Sequence, residues 1–350
     1  MPTDVRDRVE SALSAFVVGA VGELESIGGD LLPVAATARE FVLGGGKRLR
    51  PAFCYWGARA VRAADSDALI AAAASLELLQ ACALVHDDVI DRSATRRGQP
   101  SVHERFARLH SSHEWIGDAA GFGAATAILL GDLFLVWSDA MLAASGLGAA
   151  ELERARPVID SMRVEVMAGQ YLDVVEQARG GGSVERALRV ARYKAAKYTV
   201  ERPLHLGAAI GGADAAALDA LSGYGVPLGE AFQLRDDLLG VFGDPAVTGK
   251  PAGDDLREGK RTVLIALAME NASPTDRAML AERIGDPNLD ETGIAALRQI
   301  VADTGAAGAV ESLITERFGA AVKAIQSADF DPVATTALLE LASAATQRVE

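Results

Sequence analysis

Leu84-Val85-His86-Asp87-Asp88-Val89-Ile90-Asp91-Arg92 closes an apolar run that begins at Ala71. On a helix, residues four apart share a face, so Asp87 and Asp91 point the same way and Asp88 lies one step round. Three like charges this close repel one another unless water or a cation lies among them. Hard cations such as Mg²⁺ bind carboxylate oxygens and often share them with phosphates. The stretch is typical of a metal–diphosphate site or, alternatively, of a solvated acidic helix end.

The composition predicts a large helical protein. Half of the 350 residues are hydrophobic and only 5% are aromatic, so the core must consist mainly of Ala, Leu and Val. Ala and Leu favour closely packed helices, and no stretch shows the sustained alternation typical of strands. We therefore predict an all-α helical bundle in a single domain that spans residues 1–350.

The charge and the cysteines limit the possible partners and compartments. A formal net charge of −14 argues against nucleic acid and against an anionic membrane surface. Cys54 and Cys82 lie in apolar contexts typical of buried free thiols, which fits a reducing cytoplasm. Residues 1–10 are too polar for a signal peptide, and uncharged stretches such as 119–131 are too short to cross a bilayer. We expect a cytoplasmic protein without stable membrane insertion.

Apolar spacing and Gly or Pro punctuation predict the helices. They are expected at residues 1–27, 31–43, 52–64, 67–92, 119–144, 151–178, 184–212 and 214–242, with more packing helices between 262 and 350. Ser183 is a predicted N-cap, and residues 93–111 are predicted to form a polar loop. We expect Gly131-Asp132 to interrupt the helix over 119–144, and Pro203 to kink or divide the helix over 184–212.

Basic residues gather at two places, which is unusual in such an acidic chain. Gly45-Gly46-Lys47-Arg48-Leu49-Arg50-Pro51 combines flexible glycines, three cations and a helix start, and it predicts an anion pocket or an exposed basic loop. Arg96-Arg97-Gly98 follows the first aspartates closely, and arginines grip phosphate oxygens well.

A second pair of aspartates occurs on another apolar stretch later in the chain. Phe232-Gln233-Leu234-Arg235-Asp236-Asp237-Leu238-Leu239-Gly240 is an apolar helix that carries two aspartates, and a loop with Lys250 and Lys260 follows it. Aspartates on two long helices can face each other across a bundle and hold metal ions there. Several Mg²⁺ ions would make a bound diphosphate a better leaving group. The sequence thus favours a hydrocarbon diphosphate as substrate, in an apolar cavity.

Together these motifs resemble the trans-isoprenyl diphosphate synthases of the polyprenyl synthetase family. The resemblance rests on residues 45–51, the DDxxD motif at 87–91 with 96–98, Lys194, and 232–240 with 248–250, and it covers roughly residues 40–265 as the catalytic core. It implies a homodimeric all-α fold. It also implies head-to-tail condensation of isopentenyl diphosphate with an allylic diphosphate (dimethylallyl, geranyl or farnesyl).

The resemblance assigns roles to individual residues. About three Mg²⁺ ions are expected in each active site. Their expected ligands are Asp87, Asp88, Asp91, Asp236 and Asp237, of which Asp88 and Asp237 have supporting positions. The allylic diphosphate is expected to be held by Arg96, Lys194, Lys250 and Lys260. Isopentenyl diphosphate is expected at Lys47, Arg50, Gln80 and Arg97. Phe232 and Gln233 complete the substrate-binding set, and catalysis is assigned to Asp87, Asp88, Asp91, Arg96, Lys194, Asp236 and Lys250.

The implied chemistry requires no dedicated protein base. Metal ions and cations stabilise the departing diphosphate, where negative charge develops. The resulting allylic cation is attacked by the isopentenyl double bond, which its own diphosphate holds close. The proton is then lost, and the released diphosphate is its expected acceptor.

Product length can be predicted in part from the same resemblance. Bulky residues four and five positions before the first aspartate stop growth at fifteen carbons in this family, and here Ala83 and Cys82 are small. Phe134 and Trp137 on the next long helix are candidate floors deeper in the cavity. We predict a twenty-carbon product, geranylgeranyl diphosphate; a farnesyl or longer polyprenyl diphosphate is the alternative.

Three departures from the family pattern leave other functions open. Gly240 replaces the last carboxylate of the second motif, Ala195 follows Lys194 where Thr is usual, and Gln80 stands where many members have His. A terpene cyclase is disfavoured by the few aromatics and by the second set of cations. A non-catalytic prenyltransferase subunit is suggested by Gly240 but opposed by the intact first motif.

Overall fold

The computed structural model describes residues 3–243, 253–286 and 288–346. Helix makes up 81% of it, so the predicted all-α class is confirmed. Within those ranges the strands are β1 (Thr95–Arg96) and β2 (Gln99–Pro100), which form one antiparallel hairpin. The chain divides into two compact units. The first contains residues 3–55 and 63–153, and the second contains residues 56–62 and the described residues from Arg154 onward.

The first unit is a helical layer centred on α4. Its helices are α1 (Thr3–Ile27), a 3₁₀ turn (Gly29–Leu31), α2 (Leu32–Leu43), the start of α3 (Leu49–Ala60), α4 (Asp67–Ile90), α5 (Val102–Ser112) and α6 (Ala119–Ala143). The helix α4 packs against α1 and α6, and α5 packs against α6. This packing places the carboxyl end of α4, with the first aspartates, beside the β1–β2 hairpin that follows it.

The second unit is built around one long helix, α10. Its elements are α7 (Ala149–Arg179), α8 (Val184–Val190), a π-helical segment (Ala191–Glu201), α9 (Arg202–Ile210), α10 (Ala215–Phe242), α11 (Asp254–Glu258), α12 (Val263–Asn271), α13 (Pro274–Arg283), α14 (Glu291–Asp303), α15 (Ala306–Ser327) and α16 (Pro332–Thr346). The helix α10 packs against the π-helical segment and α15. The second aspartate pair therefore lies on a helix that is held from two sides.

The ends of α4 follow from local chemistry. The side chain of Ser66 accepts a hydrogen bond from the Leu69 amide at 3.1 Å, which caps the first turn. The helix ends just before Arg92, whose φ of 55° is left-handed and incompatible with another helical turn. By length and composition alone α4 and α6 could each cross a bilayer, but 72% of the apolar window of α4 is buried inside the protein. The corresponding figure for α6 is 28%.

Two local predictions were wrong. Residues 93–111 form the β1–β2 hairpin and most of α5, because Val102, Phe106 and His110 are spaced four apart and bury one face of that helix. Gly131-Asp132 does not interrupt α6. A Cβ atom on Gly131 would lie 2.2 Å from His86 Nε2, so this glycine allows close packing inside a continuous helix.

The helix over 184–212 divides at Pro203, one of the two expected outcomes. The π-helical segment ends at Glu201, so Pro203 falls in the first turn of α9, where the missing N–H is tolerated. The Ser183 N-cap prediction is confirmed, since its side chain accepts from the Arg186 amide. π-Helical segments are rare in proteins, and those that occur often lie at functional sites.

A buried histidine in the second unit makes the stability of the protein depend on pH. The Nε2 atom of His205 lies 3.0 Å from the Leu218 carbonyl oxygen, and its Nδ1 lies 3.2 Å from Arg202 Nη1. The neutral ring satisfies both contacts by donating to the carbonyl and accepting from Arg202. Burial, together with the Arg202 charge, lowers the pKa of His205, although Glu201 opposes this shift.

We therefore expect the free energy of unfolding to fall as pH is lowered below about 6.5, the ordinary pKa of histidine. In that range the unfolded chain binds the proton more readily than the folded chain, so stability rises with pH. Urea titrations between pH 5 and 7.5 measure this dependence, which His205→Gln should weaken and exposed His113→Gln should leave in place. An equal slope in the wild type and in His205→Gln would contradict the prediction.

Candidate active site

The first aspartate cluster is shaped by an arginine from the hairpin. Asp88 is fully buried, and its carboxylate accepts from Arg96 Nε at 2.9 and 3.2 Å and from Arg96 Nη2. The same guanidinium lies 3.7 Å from Asp87 Oδ2. Asp88 therefore orients Arg96 towards the site. Asp87 and Asp91 are one turn apart, with the Asp91 amide bonded to the Asp87 carbonyl, so they share one helix face as predicted.

The second arginine of the hairpin reaches the glycine loop before α3. Arg97 has a left-handed φ of 53°, and its Nη1 donates to the Gly45 carbonyl at 2.9 Å. Its guanidinium also lies 6.0 Å from the centre of the Phe41 ring. Burial, and then the nearby charges of Arg48 and Arg96, lower the pKa of Arg97. A cation crowded by other cations is stabilised by an arriving anion, so this geometry favours diphosphate binding.

The role of Arg48 differs from that of its neighbours in the basic loop. Its side chain is 2% exposed and bonds to Glu10 Oε1 at 2.8 Å and to Glu77 Oε2 at 2.6 Å. Its Nη2 also donates to the Val42 carbonyl at 2.9 Å. Burial opposes the charge, but the two glutamates outweigh it and raise the pKa of Arg48. This triad fixes the loop that carries exposed Lys47.

Gln80 also lies in the first unit, on α4. It is half-buried, and its side-chain oxygen has no hydrogen-bond partner among the residues that the structure describes. Buried polar atoms are nearly always bonded, so this amide is suited to a ligand. Its assignment to isopentenyl diphosphate, like those of Lys47 and half-buried Arg50, stays a prediction.

Lys194 is positioned by α7 in the second unit. Its Nζ lies 2.7 Å from Asp173 Oδ2. The approach depends on Gly169, because a Cβ atom there would lie 2.3 Å from the Lys194 amide nitrogen. Gln170, next to this contact, has a side-chain nitrogen without a hydrogen-bond partner in the described part of the chain. The sequence analysis assigns no role to Asp173 or Gln170, although their spacing of three residues on one helix indicates a shared face.

The two aspartates on α10 have different surroundings. Asp237 is buried, and Gln233 Nε2 donates to its Oδ1 at 2.7 Å. Burial raises the pKa of Asp237 to about 8, with further contributions from the Asp255 and Asp236 carboxylates. Asp236 is half-buried, as is Phe232 one turn earlier. The supporting position predicted for Asp237 fits this burial, and Asp236 is the better candidate for direct metal contact.

The lysines after α10 are described in part. Lys260 Nζ lies 2.7 Å from Glu258 Oε2 and 3.4 Å from Asp255 Oδ1, so its position is set by two carboxylates. Lys250, a predicted allylic diphosphate ligand, lies outside the described residues together with Thr248 and Gly249.

The predicted chain-length residues lie along the contact between α4 and α6. Ser138 Oγ donates to the Ser75 carbonyl at 3.0 Å, and near the other end His86 Nε2 lies 3.1 Å from the Ile128 carbonyl oxygen. The two helices therefore run antiparallel. This register places position 134 about level with residue 79 and position 137 about level with residue 76, roughly 5 and 10 Å further from the aspartates than residue 83.

Aromatic side chains cluster at that depth. Phe134 is fully buried, stacks on Phe41 with ring centres 5.9 Å apart, and meets Trp137 edge-on at 5.9 Å. Above them, Cys82 is buried beside His86, with Sγ 3.8 Å from Nδ1, and Ala83 is half-buried. Phe41, which the sequence did not single out, thus touches both the predicted floor and Arg97.

The carboxylates suit a metal that keeps ligands from its substrate. In residues 3–243, 253–286 and 288–346, no group of three or more His, Cys, Asp or Glu side chains could hold a metal ion by itself. Mg²⁺ normally takes one or two carboxylates and completes its coordination with water and substrate phosphates. Asp87 and Asp91 in the first unit, and Asp236 in the second unit, are such hard oxygen ligands, so the chemistry of each cluster fits Mg²⁺.

Comparison with known proteins decides the family. The sequence model of the family described as polyprenyl synthetase matches residues 33–301. The chain belongs to the polyprenyl synthetase family. Its predicted prenyltransferase activity, as a trans-prenyl diphosphate synthase acting on isoprenyl diphosphates, is thereby confirmed.

Relatives in the family differ in the product that they are named for. A geranylgeranyl pyrophosphate synthase from Corynebacterium glutamicum, complexed with isoprenyl diphosphate and magnesium, is 42% identical with a TM-score of 0.95, and 99% of each chain is covered. A geranylfarnesyl diphosphate synthase from Aeropyrum pernix is 32% identical over 80% of this chain and 82% of its own length. A geranylgeranyl diphosphate synthase from Mycobacterium tuberculosis is 32% identical over 82% and 77%. Magnesium dependence is a property of the family.

Proposed function

We propose that the chain condenses isopentenyl diphosphate with dimethylallyl, geranyl and farnesyl diphosphates and releases geranylgeranyl diphosphate. The proposed product length rests on one observation. The small residues Cys82 and Ala83 lie nearer the aspartates than the buried aromatic residues Phe134 and Trp137. A growing chain can pass the small residues and meets the aromatic rings roughly 5 to 10 Å deeper. The Corynebacterium relative, named for the same product, supports this length.

The residues of each unit have distinct tasks in this reaction. Asp87, Asp91 and Asp236 would hold Mg²⁺, about three ions in all. Bound Mg²⁺ neutralises a diphosphate and favours its departure. Arg96 is oriented by Asp88, and Lys194 by Asp173, so both cations are fixed before the allylic diphosphate arrives. Such preorganised charges stabilise the negative charge that develops on the leaving group.

The second substrate is assigned to the cations of the first unit. Arg97 is anchored to the Gly45 carbonyl, and the buried Arg48 bonds to the Val42 carbonyl at the end of α2, just before the glycine loop. Lys47, Arg50 and Gln80 complete this set. An isopentenyl diphosphate held in this way keeps its double bond in place for attack, which supplies much of the rate advantage of a bound second substrate.

We further propose that the protein is a homodimer. The helix α6 exposes an apolar stripe in which Leu129 is 68% and Val136 62% exposed, and α7 exposes one in which Val164 is 67% and Tyr171 69% exposed. Contiguous exposed apolar surface often marks an interaction site, and a self-complementary twofold interface would cover it. The acidic surface and the two buried free cysteines support a cytoplasmic location.

One assay tests the proposal directly. Labelled isopentenyl diphosphate is incubated with Mg²⁺ and each of the five-, ten- and fifteen-carbon primers, and the products are sized by chromatography. All three primers should give mainly the twenty-carbon diphosphate. Products that stop at fifteen carbons or extend to twenty-five would show that the length assignment is wrong, and hydrocarbon formed from geranylgeranyl diphosphate alone would favour a cyclase.

Replacing Ala83 with Phe should shorten the main product from twenty to fifteen carbons. The new ring would project one turn before Asp87 and block the path towards Phe134. Chromatography of products made from farnesyl diphosphate and isopentenyl diphosphate measures the change. Phe134→Ala is the matched variant and should lengthen the product, because it removes the deeper floor. An unchanged length in Ala83→Phe would contradict the cavity assignment.

A further inference from the structure

Glycines on two neighbouring helices let the π-helical segment pack closely against both. On α7, a Cβ atom on Gly169 would lie 2.3 Å from the Lys194 amide nitrogen. On α10, a Cβ atom on Gly229 would lie 2.5 Å from Ala196 Cα. The backbone of the segment is therefore enclosed from both sides around residues 194–196, and a close-packed interior leaves it little room to adjust locally.

One face of α7 carries three contacts to this segment. Glu165, Gly169 and Asp173 are spaced four apart, so they share that face. Gly169 contacts the backbone of Lys194, and Asp173 Oδ2 lies 2.7 Å from its Nζ. Two of the three positions thus act on Lys194 itself, and the third, Glu165, binds other residues at the end of the segment.

Glu165 binds two cations. Its carboxylate accepts from Nε and Nη2 of Arg202 at 2.6 Å each, and its Oε1 lies 2.9 Å from Lys197 Nζ. Lys197 Nζ also lies 3.2 Å from Oε2 of buried Glu201, whose Oε1 accepts from Ser222 Oγ at 2.8 Å. Burial by itself would raise the pKa of Glu165, but Arg202 and Lys197 outweigh it and lower this pKa. The carboxylate is therefore ionised at neutral pH.

This cluster differs from an ordinary surface ion pair. The side chains of Glu165, Lys197 and Arg202 are each at most 19% exposed. Exposed pairs hold their partners weakly, whereas a bidentate pair between arginine and carboxylate has a defined geometry. The glycine contacts bring the segment close to α7, and the ion pairs fix its position along that helix.

We propose that Glu165, Lys197 and Arg202 are positioning residues for the allylic diphosphate. They fix the π-helical segment along α7 and so place Lys194 where the diphosphate binds. This inference rests on the proposed function, which assigns Lys194 to the allylic substrate. It gives Lys197, three residues after Lys194, a role that differs from direct binding of phosphate, because its ammonium group already contacts two carboxylates.

Lys197→Met tests the proposal with little change of shape. Arg202 still neutralises Glu165 in this variant, so the fold should persist. We expect kcat/KM for farnesyl diphosphate to fall by roughly ten- to a hundred-fold, because a displacement of about 1 Å can cost that much. The Kd of farnesyl thiodiphosphate, an unreactive analogue, should rise when measured by calorimetry, and the KM for isopentenyl diphosphate should stay close to the wild-type value. Equal changes for both substrates would overturn the proposal.

Glu165→Gln provides a second measurement, because it weakens the contacts to both cations. Its effect on the analogue should exceed that of Lys197→Met. The double variant should bind the analogue about as weakly as Glu165→Gln alone, since both changes remove the same contact. Fully additive effects would contradict a shared role. A lower melting temperature in these variants with unchanged kinetics would show that the cluster only stabilises the fold, and it would also overturn the proposal.

Two further variants separate this proposal from the proposed function. If Lys194→Ala leaves the Kd of the analogue unchanged, the assignment of Lys194 is wrong and the positioning role is refuted with it. Weaker binding in Lys194→Ala without any change in Lys197→Met or Glu165→Gln would refute the positioning role alone. Glu185→Gln removes an exposed ion pair with Arg189 on α8 and should leave both KM values unchanged.

Discussion

Replacing Glu77 with Gln should lower the free energy of unfolding by about 3–5 kcal/mol. Arg48 is 2% exposed, and Glu77 is the more deeply buried of its two carboxylate partners, with its side chain 7% exposed. The amide keeps the shape and one hydrogen bond but removes the charge that compensates a buried guanidinium. Urea denaturation followed by circular dichroism measures the loss.

Two other glutamates calibrate this effect. Glu10→Gln should cost less, because the Glu10 side chain is 31% exposed and water can compensate part of the lost charge. Glu25→Gln removes an exposed ion pair with Arg39 and should cost about 0–1 kcal/mol. A loss in Glu77→Gln no larger than that in Glu25→Gln would contradict the role assigned to the buried triad.

The same variants report on function. The triad fixes the loop that carries Lys47, so Glu77→Gln should raise the KM for isopentenyl diphosphate more than the KM for the allylic substrate. Equal changes in both KM values would show that the triad stabilises the fold without positioning this loop.

Replacing Asp236 with Ala should reduce kcat by about 10²–10³-fold. This corresponds to about 2.7–4 kcal/mol of lost stabilisation of the transition state, which lies within the several kcal/mol that a bound cation supplies. Steady-state kinetics at saturating Mg²⁺ with farnesyl diphosphate and isopentenyl diphosphate measures the change. Raising the Mg²⁺ concentration should not restore the rate fully, because the ligand that positions the ion is gone.

Two variants on the same helix serve as controls. Asp237→Asn should have a smaller effect, since this buried carboxyl is bonded to Gln233 and the amide retains most of the packing. Asp219→Ala removes an exposed carboxylate near the other end of α10 and should leave kcat unchanged. If Asp237→Asn proved as damaging as Asp236→Ala, the distinction between direct and supporting aspartates would be wrong.

Much of the fold and the positions of the motifs could be predicted because they depend on local spacing. The four-residue interval between Asp87 and Asp91 places both on one helix face, and the long apolar runs predict α4, α6 and α10 within a few residues. Family motifs then supplied the chemistry, and the whole-chain similarity to solved relatives confirmed the class of reaction.

The remaining features depend on partners that are distant in sequence. Arg48 is one of three equivalent cations in the sequence, and its burial depends on glutamates 38 and 29 residues away. The sequence predicts that Gly131 interrupts α6, because the contact that explains this glycine is with His86 on another helix and cannot be seen in local sequence. That the two aspartate clusters face each other stays a prediction.

The ring of Phe41 links the residue assigned to isopentenyl diphosphate with the residue assigned to the limit on product length. It touches Arg97, assigned to isopentenyl diphosphate, and it stacks on Phe134, assigned to the limit on product length. A substitution that lets Phe134 move would also disturb the support of Arg97. Substitutions at position 134 that lengthen the product should therefore also weaken the binding of isopentenyl diphosphate. A compensating substitution in α2 would be needed to restore that affinity.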